Sequence, residues 1–434
     1  VTRSAAWRVD LASLLALKAA AGAWVLHCGF SHVSDDDYSR VVIAEQFAHA
    51  PSFDPSGTSW LPWPFWANGT AMLLFGRSLA IAGSVALLFG LASVVVGYFA
   101  MRALGVARGA AWVATAIAMT TPWNAWLGVA TVPEALTAAL IAAGAMSIDV
   151  PKARILGSVA LLLASLSRYE AWPVCVVFAA TCLVSLARGR SGDRTREGIA
   201  LSLALLGPCL WMAWNAHAHG SALHFIARVA RYRRSLGVEI PLWERVVTYP
   251  RGLVAGAPEI ALLALAGCLG DREVRVRWRA SLAAMGTLLL FLVYGDLHDG
   301  APTHHPERAL VAIWWVLTGF GVDSARAFVS RHVWGRPKRE AWAVAFGVAG
   351  TISLFARTAE RAAQPPGRSV EEDRDVQIAR GLALRAKSPA HISLVPCAYE
   401  HFALVAAFGA PERVTIAEPT HARVTSECPR VEEP

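Results

Sequence analysis

Apolar blocks, each close to the ~20 residues that cross a bilayer core, recur along this chain with short arginine-bearing stretches between them. A chain written this way is restricted to a bundle of membrane helices. The charge deficit supports that more strongly than the apolar surplus. Only 17% of the 434 residues are charged and 55% are hydrophobic, with mean hydropathy +0.43. A soluble domain carries about a quarter charged residues, because its surface must be solvated and a lipid-facing surface must not. The formal net charge of +8 does not point to nucleic acid, because the arginines sit in clusters between apolar blocks, where positive charge orients membrane helices. The first block, Leu11 to Phe30, reads as a retained span rather than a cleaved signal.

Spans are expected near 9–30, 78–101, 109–127, 132–149, 153–167, 171–187, 198–217, 253–270, 281–295, 308–324 and 341–356, about eleven in all. Basic residues fall in alternate loops. They are Arg3 and Arg8, Arg102 and Arg108, Lys152 and Arg154, Arg188 to Arg196, Arg272 to Arg279, and Arg331 to Arg339. This places the N-terminus in the cytoplasm and the C-terminus outside. Loop 218–252 breaks the rule with Arg228, Arg231, Arg233, Arg234, Arg245 and Arg251 on the outer side, and so requires an anionic partner or another topology. The tail from 357 reads as a small soluble domain. It holds a strand at His391–Pro396, a helix at Tyr399–Phe408 ended by Gly409, and a strand at Val414–Ala417. Cys397 and Cys428 are disulfide candidates there if the tail is extracytoplasmic.

Chemistry concentrates in the outer loops. After the first span comes Ser34-Asp35-Asp36-Asp37-Tyr38-Ser39-Arg40, where adjacent carboxylates either raise one another's pKa and recruit a cation or simply start a loop or cap a helix. Val41, Val42, Ala44, Phe47 and Ala48 follow as one face of an amphipathic helix expected on the membrane surface. The segment from Asp54 to Trp66, with Trp60 and Trp63, reads as an interfacial aromatic belt or as a wall for a sugar or isoprenoid. Glu134 heads an apolar span, either as an interfacial cap or as a functional acid. Ser167-Arg168-Tyr169-Glu170 reads as an ion pair at a helix break or as two groups with separate partners. His304-His305-Pro306-Glu307-Arg308 opens a later span, where phosphate recognition by Arg308 and a histidine competes with interfacial anchoring. No P-loop, dinucleotide fingerprint or nucleophile elbow is present.

These elements, in this order and on one side, resemble the C-type glycosyltransferase superfamily, whose members include protein O-mannosyltransferases and the aminoarabinose transferases of lipid A. The resemblance covers about residues 10–320. This chain has Asp-Asp-Asp where relatives often have Asp-Glu, so the resemblance puts the catalytic position at Asp36 or Asp37 without fixing it. It implies an all-α polytopic transferase domain, 1–356, and an extracytoplasmic α/β domain, 357–434. The implied reaction moves a sugar, mannose or another hexose or pentose, from polyprenyl phosphate to a hydroxyl on an extracytoplasmic glycan, lipid or protein, with inversion. An Asp35–Asp37 carboxylate is the expected base. His304, His305, Arg308, Arg231 and Arg234 are expected at the donor phosphate. Glu134, Trp60, Trp63, Tyr38, Arg168 and Glu170 are expected at the acceptor or substrate. No cofactor is required, although a divalent cation on Asp36 and Asp37 is allowed. The competing reading is a membrane transporter or flippase, which ordinarily carries mid-membrane charges and paired repeats.

Overall fold

The structure is a computed structural model that describes residues 6–189, 193–235, 237, 240–300, 305–332, 356–357, 359–364, 371–396, 399–417 and 430–432. In chain order the helices begin with α1 (Ala6–His27), α2 (Asp36–His49), α3 (Trp63–Phe75), α4 (Leu79–Ala103) and α5 (Arg108–Thr120). Next come α6 (Pro122–Leu127), α7 (Glu134–Ser147), α8 (Arg154–Ser165), α9 (Ala171–Ala187) and α10 (Arg194–His219). Then follow α11 (His224–Ser235), α12 (Leu242–Gly256), α13 (Pro258–Cys268), α14 (Arg272–Leu297) and α15 (Val311–His332).

Each expected span from 9–30 to 308–324 falls on helix, and 341–355 lie outside the described residues. Length changes the count. Among the described residues α1, α4, α10 and α14 are long and apolar enough to cross a membrane, and α12 with α13, bent by 94°, makes a fifth candidate. Helices α5, α7, α8 and α9 have 13, 14, 12 and 17 residues, short of the ~20 a bilayer core asks for. The expected total of about eleven therefore included helices too short to cross unaided. One cause is local. Thr121 precedes a proline and is extended (φ −54°, ψ 147°), which ends α5, and Pro122 starts α6 at a position where its missing N–H costs nothing. Lys18 of α1 fastens this break by donating to the carbonyls of Asn124 (2.7 Å) and Met119 (3.3 Å).

The bundle closes around α7, which is buried at every position except Ala143. Its small residues let neighbours approach, as van der Waals packing in a membrane requires. Gly144 faces Leu161, and on α4 Gly97 faces Trp315 while Gly90 lies against the backbone of Gly128. Several buried charges in the bundle are paired: Asp10 with Arg108 and Tyr98, Arg154 with Glu197, and Arg277 with Asp323. The arginine-bearing turns meet at one end. Arg277 donates to the carbonyl of Gly105, Arg279 pairs with Asp149, Arg196 donates to the carbonyl of Lys152, and Arg331 pairs with Asp271. The 26 residues of α14 separate that end from Asp296 at the other by roughly 39 Å of helix.

The described part of the tail holds α16 (Glu371–Lys387), β1 (Ile392–Val395), α17 (His401–Phe408), β2 (Val414–Ile416) and β3 (Arg430–Glu432). The strand–helix–strand expected from the sequence is present, with β1 and β2 parallel (Ile392 beside Val414) and Gly409 left-handed at φ 77° after α17. Strand β3 joins antiparallel on the other edge, in the order β2-β1-β3. Cys397 and Cys428 lie outside the described residues. The amphipathic helix after the first span is α2, but its apolar face is not laid on a membrane. Val41, Val42, Ala44 and Ala48 are buried in one core with Leu384, Ile392, Leu394, Ala403 and Leu404 of the tail and Met72 of α3, and Phe47 sits against Gly69. An apolar stripe on a helix records only that something covers it; here a second unit of the same chain does.

Candidate active site

Four chain segments deliver charged side chains to one end of the bundle, opposite the arginine-bearing turns. Helix α2 brings the aspartates, α7 begins at Glu134, the α8–α9 turn carries Arg168 and Glu170, and the 3-10 turn Pro306–Leu310 carries Arg308. Asp36, Glu134 and Glu170 stand at helix N-termini, where the backbone dipole favours anions.

Glu134, 1% exposed, is the hub. Its Oε1 accepts from Arg308 Nε at 3.0 Å, from Arg308 Nη2 and from Arg168 Nη1. Arg168 also donates to Glu170, through Nε at 2.9 Å and through Nη2. Arg168 and Glu170 thus pair with each other, and Arg168 has a second partner in Glu134. Arg308 Nη1 reaches out of this cluster to Asp36 Oδ2 and Ser34 Oγ, each at 3.5 Å.

The three aspartates have three different surroundings. Asp36 is the open one: its side chain is 44% exposed and touches Arg308. Asp35 forms a two-pronged pair with Arg374 of α16, at 2.7 and 2.9 Å. Asp37, 2% exposed, accepts from the backbone N–H groups of Val33 (3.1 Å), Ser34 (3.2 Å) and Thr131 (3.2 Å), which ties the start of α2 to the loop leading into Glu134. Burial pushes the Asp37 carboxyl up to about 6, with Arg308 and the backbone donors pulling against it. Because the carboxylates of Asp36 and Asp37 serve different partners, they do not offer a joint pair of ligands. Among the described residues no group of three or more His, Cys, Asp or Glu is arranged to hold a metal ion.

Of the remaining candidates, Trp60 stacks with Phe65 (centroids 6.1 Å apart) and lies under a guanidinium. Trp63 stacks instead on Phe89 of α4. Tyr38 is a core residue at 5% exposure with its hydroxyl 3.3 Å from His32 Nδ1. His305 is left-handed (φ 51°), a conformation costing roughly 1–2 kcal/mol in a non-glycine residue, and its ring lies 5.5 Å from Trp123. His304 lies outside the described residues. Arg231 and Arg234 stand exposed on α11, outside this bonded network. Part of the misplaced basic loop has another account: Arg233 pairs with Asp296 and Arg245 with Asp299, so two of its six arginines are balanced by acids from residues 296–299.

The guanidinium over Trp60, at 4.5 Å, belongs to Arg40, which the sequence reading quoted within its motif without giving it a role. Arg40 is 8% exposed, and its Nε has no hydrogen-bond partner among the described residues. It lies on α2 one turn after Asp36, on the same helix face. That i, i+4 spacing was the signal available. A buried arginine with a spare donor thus adds a third guanidinium to the neighbourhood of Arg308 and Arg168, in which Asp36, at 44%, is an exposed carboxylate.

The all-helical bundle with acids and arginines gathered at one end shares its fold with a solved structure. Among solved structures the chain is similar to ArnT from Cupriavidus metallidurans in the apo state, with TM-score 0.50 and 14% identity over 95% of this chain and 76% of that one. It is also similar to the same protein bound to undecaprenyl phosphate (TM-score 0.49, 15% identity, 94% and 76% covered). A further similar structure is the archaeal oligosaccharyltransferase AglB from Archaeoglobus fulgidus in complex with an inhibitory peptide and a dolichol-phosphate (TM-score 0.48, 12% identity, 85% and 58% covered). At such identities the likeness is one of fold. No family profile and no curated protein sequence matches the chain.

Proposed function

We propose that this protein transfers a sugar from a polyprenyl-phosphate donor to a hydroxyl of an extracytoplasmic acceptor. The observation that carries the reading is the juxtaposition of a half-exposed carboxylate, Asp36, with the buried Arg308 at 3.5 Å. Glycosyl transfer with inversion needs a base for the acceptor and cations for the leaving phosphate, side by side. The Asp36 carboxylate takes the proton of the acceptor hydroxyl. The acceptor oxygen attacks the anomeric carbon as the bond from that carbon to the phosphate oxygen breaks, and its electron pair passes to the phosphate. Arg308 and Arg40 receive the charge so released, with Arg168 behind them. Glu134 holds two of these guanidiniums in place before the donor arrives. Residues 1–356 then form the transferase domain and 357–434 an extracytoplasmic domain, in an inner membrane with the N-terminus cytoplasmic. The neighbour bound to undecaprenyl phosphate supports a polyprenyl-phosphate donor in general.

The test is transfer of labelled sugar from defined polyprenyl-phosphate donors, mannosyl and pentosyl among them, by purified protein in detergent. Asp36→Asn is expected to lose at least about 100-fold, the low end of what a general base supplies, while remaining folded. Full transfer by Asp36→Asn, or donor transport without transfer, contradicts the reading.

A further inference from the structure

Among the described residues, the tail bonds to the acidic run through one side chain. Arg374 of α16, with its side chain 5% exposed, donates from Nε and Nη2 to the two oxygens of Asp35 at 2.7 and 2.9 Å. Its Nη1 lies 3.6 Å from Glu400. The residues on either side of Asp35 behave differently, for Ser34 and Asp36 both approach Arg308 Nη1. The backbone at 34–36 therefore already stands within reach of Arg308, and Asp35 alone is turned away from it. Two-pronged arginine–carboxylate bonding is the strong, directional form of such a pair. The Arg374 side chain is buried and that of Asp35 is 25% exposed, and α2 packs on the tail through an apolar core.

We propose that Arg374 is a positioning residue for transfer: it takes Asp35 into a closed ion pair, so that Arg308 faces one carboxylate instead of two and Asp36 is the single member of the run that meets the acceptor. This rests on the glycosyl-transfer reading. Released, Asp35 would compete with the donor phosphate for Arg308. It would also place a like charge beside Asp36, which raises the proton affinity of that base. The tail thereby becomes part of the machinery, since the residue that sorts the aspartates belongs to α16.

The experiment compares steady-state transfer, its pH profile and thermal stability for Arg374→Gln and for Asp35→Asn combined with Arg374→Gln, with Asp36→Asn as reference. Arg374→Gln is expected to lower kcat/KM by about tenfold or more and to move the acid limb of the profile upward, as a like charge beside the base requires. Adding Asp35→Asn is expected to restore at least about a third of the lost activity and return the limb, because the competing charge is gone. A double variant no better than Arg374→Gln, with an unmoved profile, overturns the proposal and leaves Arg374 a docking contact. Should Arg374→Gln fold poorly, Arg374→Lys keeps the charge with a single bond, and relief of its defect by Asp35→Asn is the same requirement. If Asp36→Asn retains transfer, the underlying reading fails as well. If Asp36→Asn is inactive and Asp35→Asn gives no relief, only the role of Arg374 fails.

Discussion

Replacing Glu134 by glutamine keeps the shape of the side chain and removes the charge on which two arginines converge. Each guanidinium–carboxylate attraction is about 4 kcal/mol at 4 Å and an effective dielectric of 20. The desolvation of a carboxylate that is 1% exposed already offsets part of that sum. The net cost of taking one partner from a buried pair is about 3–5 kcal/mol, and it falls on Arg308 and Arg168, which are left buried and less fully balanced. Among the described residues Arg308 then keeps Asp36 as its ion-pair contact, and closing that 3.5 Å gap captures the proposed base. The expected result is a fall in kcat of about 100–1000-fold, the effect of losing one well-placed charge-stabilising donor. The assay is single-turnover transfer from a polyprenyl-phosphate sugar, with a melting curve run alongside to confirm folded protein. Glu134→Gln working within about threefold of wild type, an activation difference below about 1 kcal/mol, would refute the claim that Glu134 organises the arginines.

Two further outcomes follow from the packing and the charges. Asp37 has a folded pKa of about 6 against an unfolded value near 3.8, so the folded state holds the extra proton between those values. Its contribution is fully present below the unfolded value and is lost as pH rises through about 6, a swing of about 3 kcal/mol. Asp37→Asn is expected to flatten the stability profile between about pH 4 and 6 relative to wild type, as read by thermal melts. Gly90→Ala is expected to cost about 1–3 kcal/mol, because a methyl group there meets the backbone of Gly128 rather than a side chain able to move aside. An unchanged melting temperature would contradict that close approach.

Sequence patterning carried the helix positions, the sidedness of the charges and the strand–helix–strand of the tail, since each depends on local periodicity or on charges excluded from lipid. It did not carry lengths in three dimensions. Pro122 divides one apolar block into α5 and α6, and α7 is apolar because it is enclosed by other helices rather than by lipid. Nor did it carry partners distant in the chain. Val41, Val42 and Ala48 show an apolar face in the sequence without showing that residues some 350 positions later cover it. The same holds for the acidic run. Three adjacent aspartates look equivalent as letters, and they are separated only by Arg374, Arg308 and the Val33–Ser34 backbone, which arrive from different parts of the fold. Tyr38, expected at the acceptor or substrate, is 5% exposed, and Trp63 of the expected aromatic wall stacks on Phe89. Arg40 shows the converse, because its i, i+4 spacing from Asp36 gains weight only once Trp60 and the unpaired Nε are seen around it.

The central claim is a phosphate pocket beside Asp36, and a structure of the full chain with bound polyprenyl phosphate tests it most directly. The account predicts the phosphate in hydrogen-bond contact with Arg308 or Arg40, on the side of the cluster where Asp36 opens, and loss of that density in Arg308→Gln. Phosphate held at the arginine-bearing turns of the opposite end, with Arg308 still closed on Glu134, would contradict it.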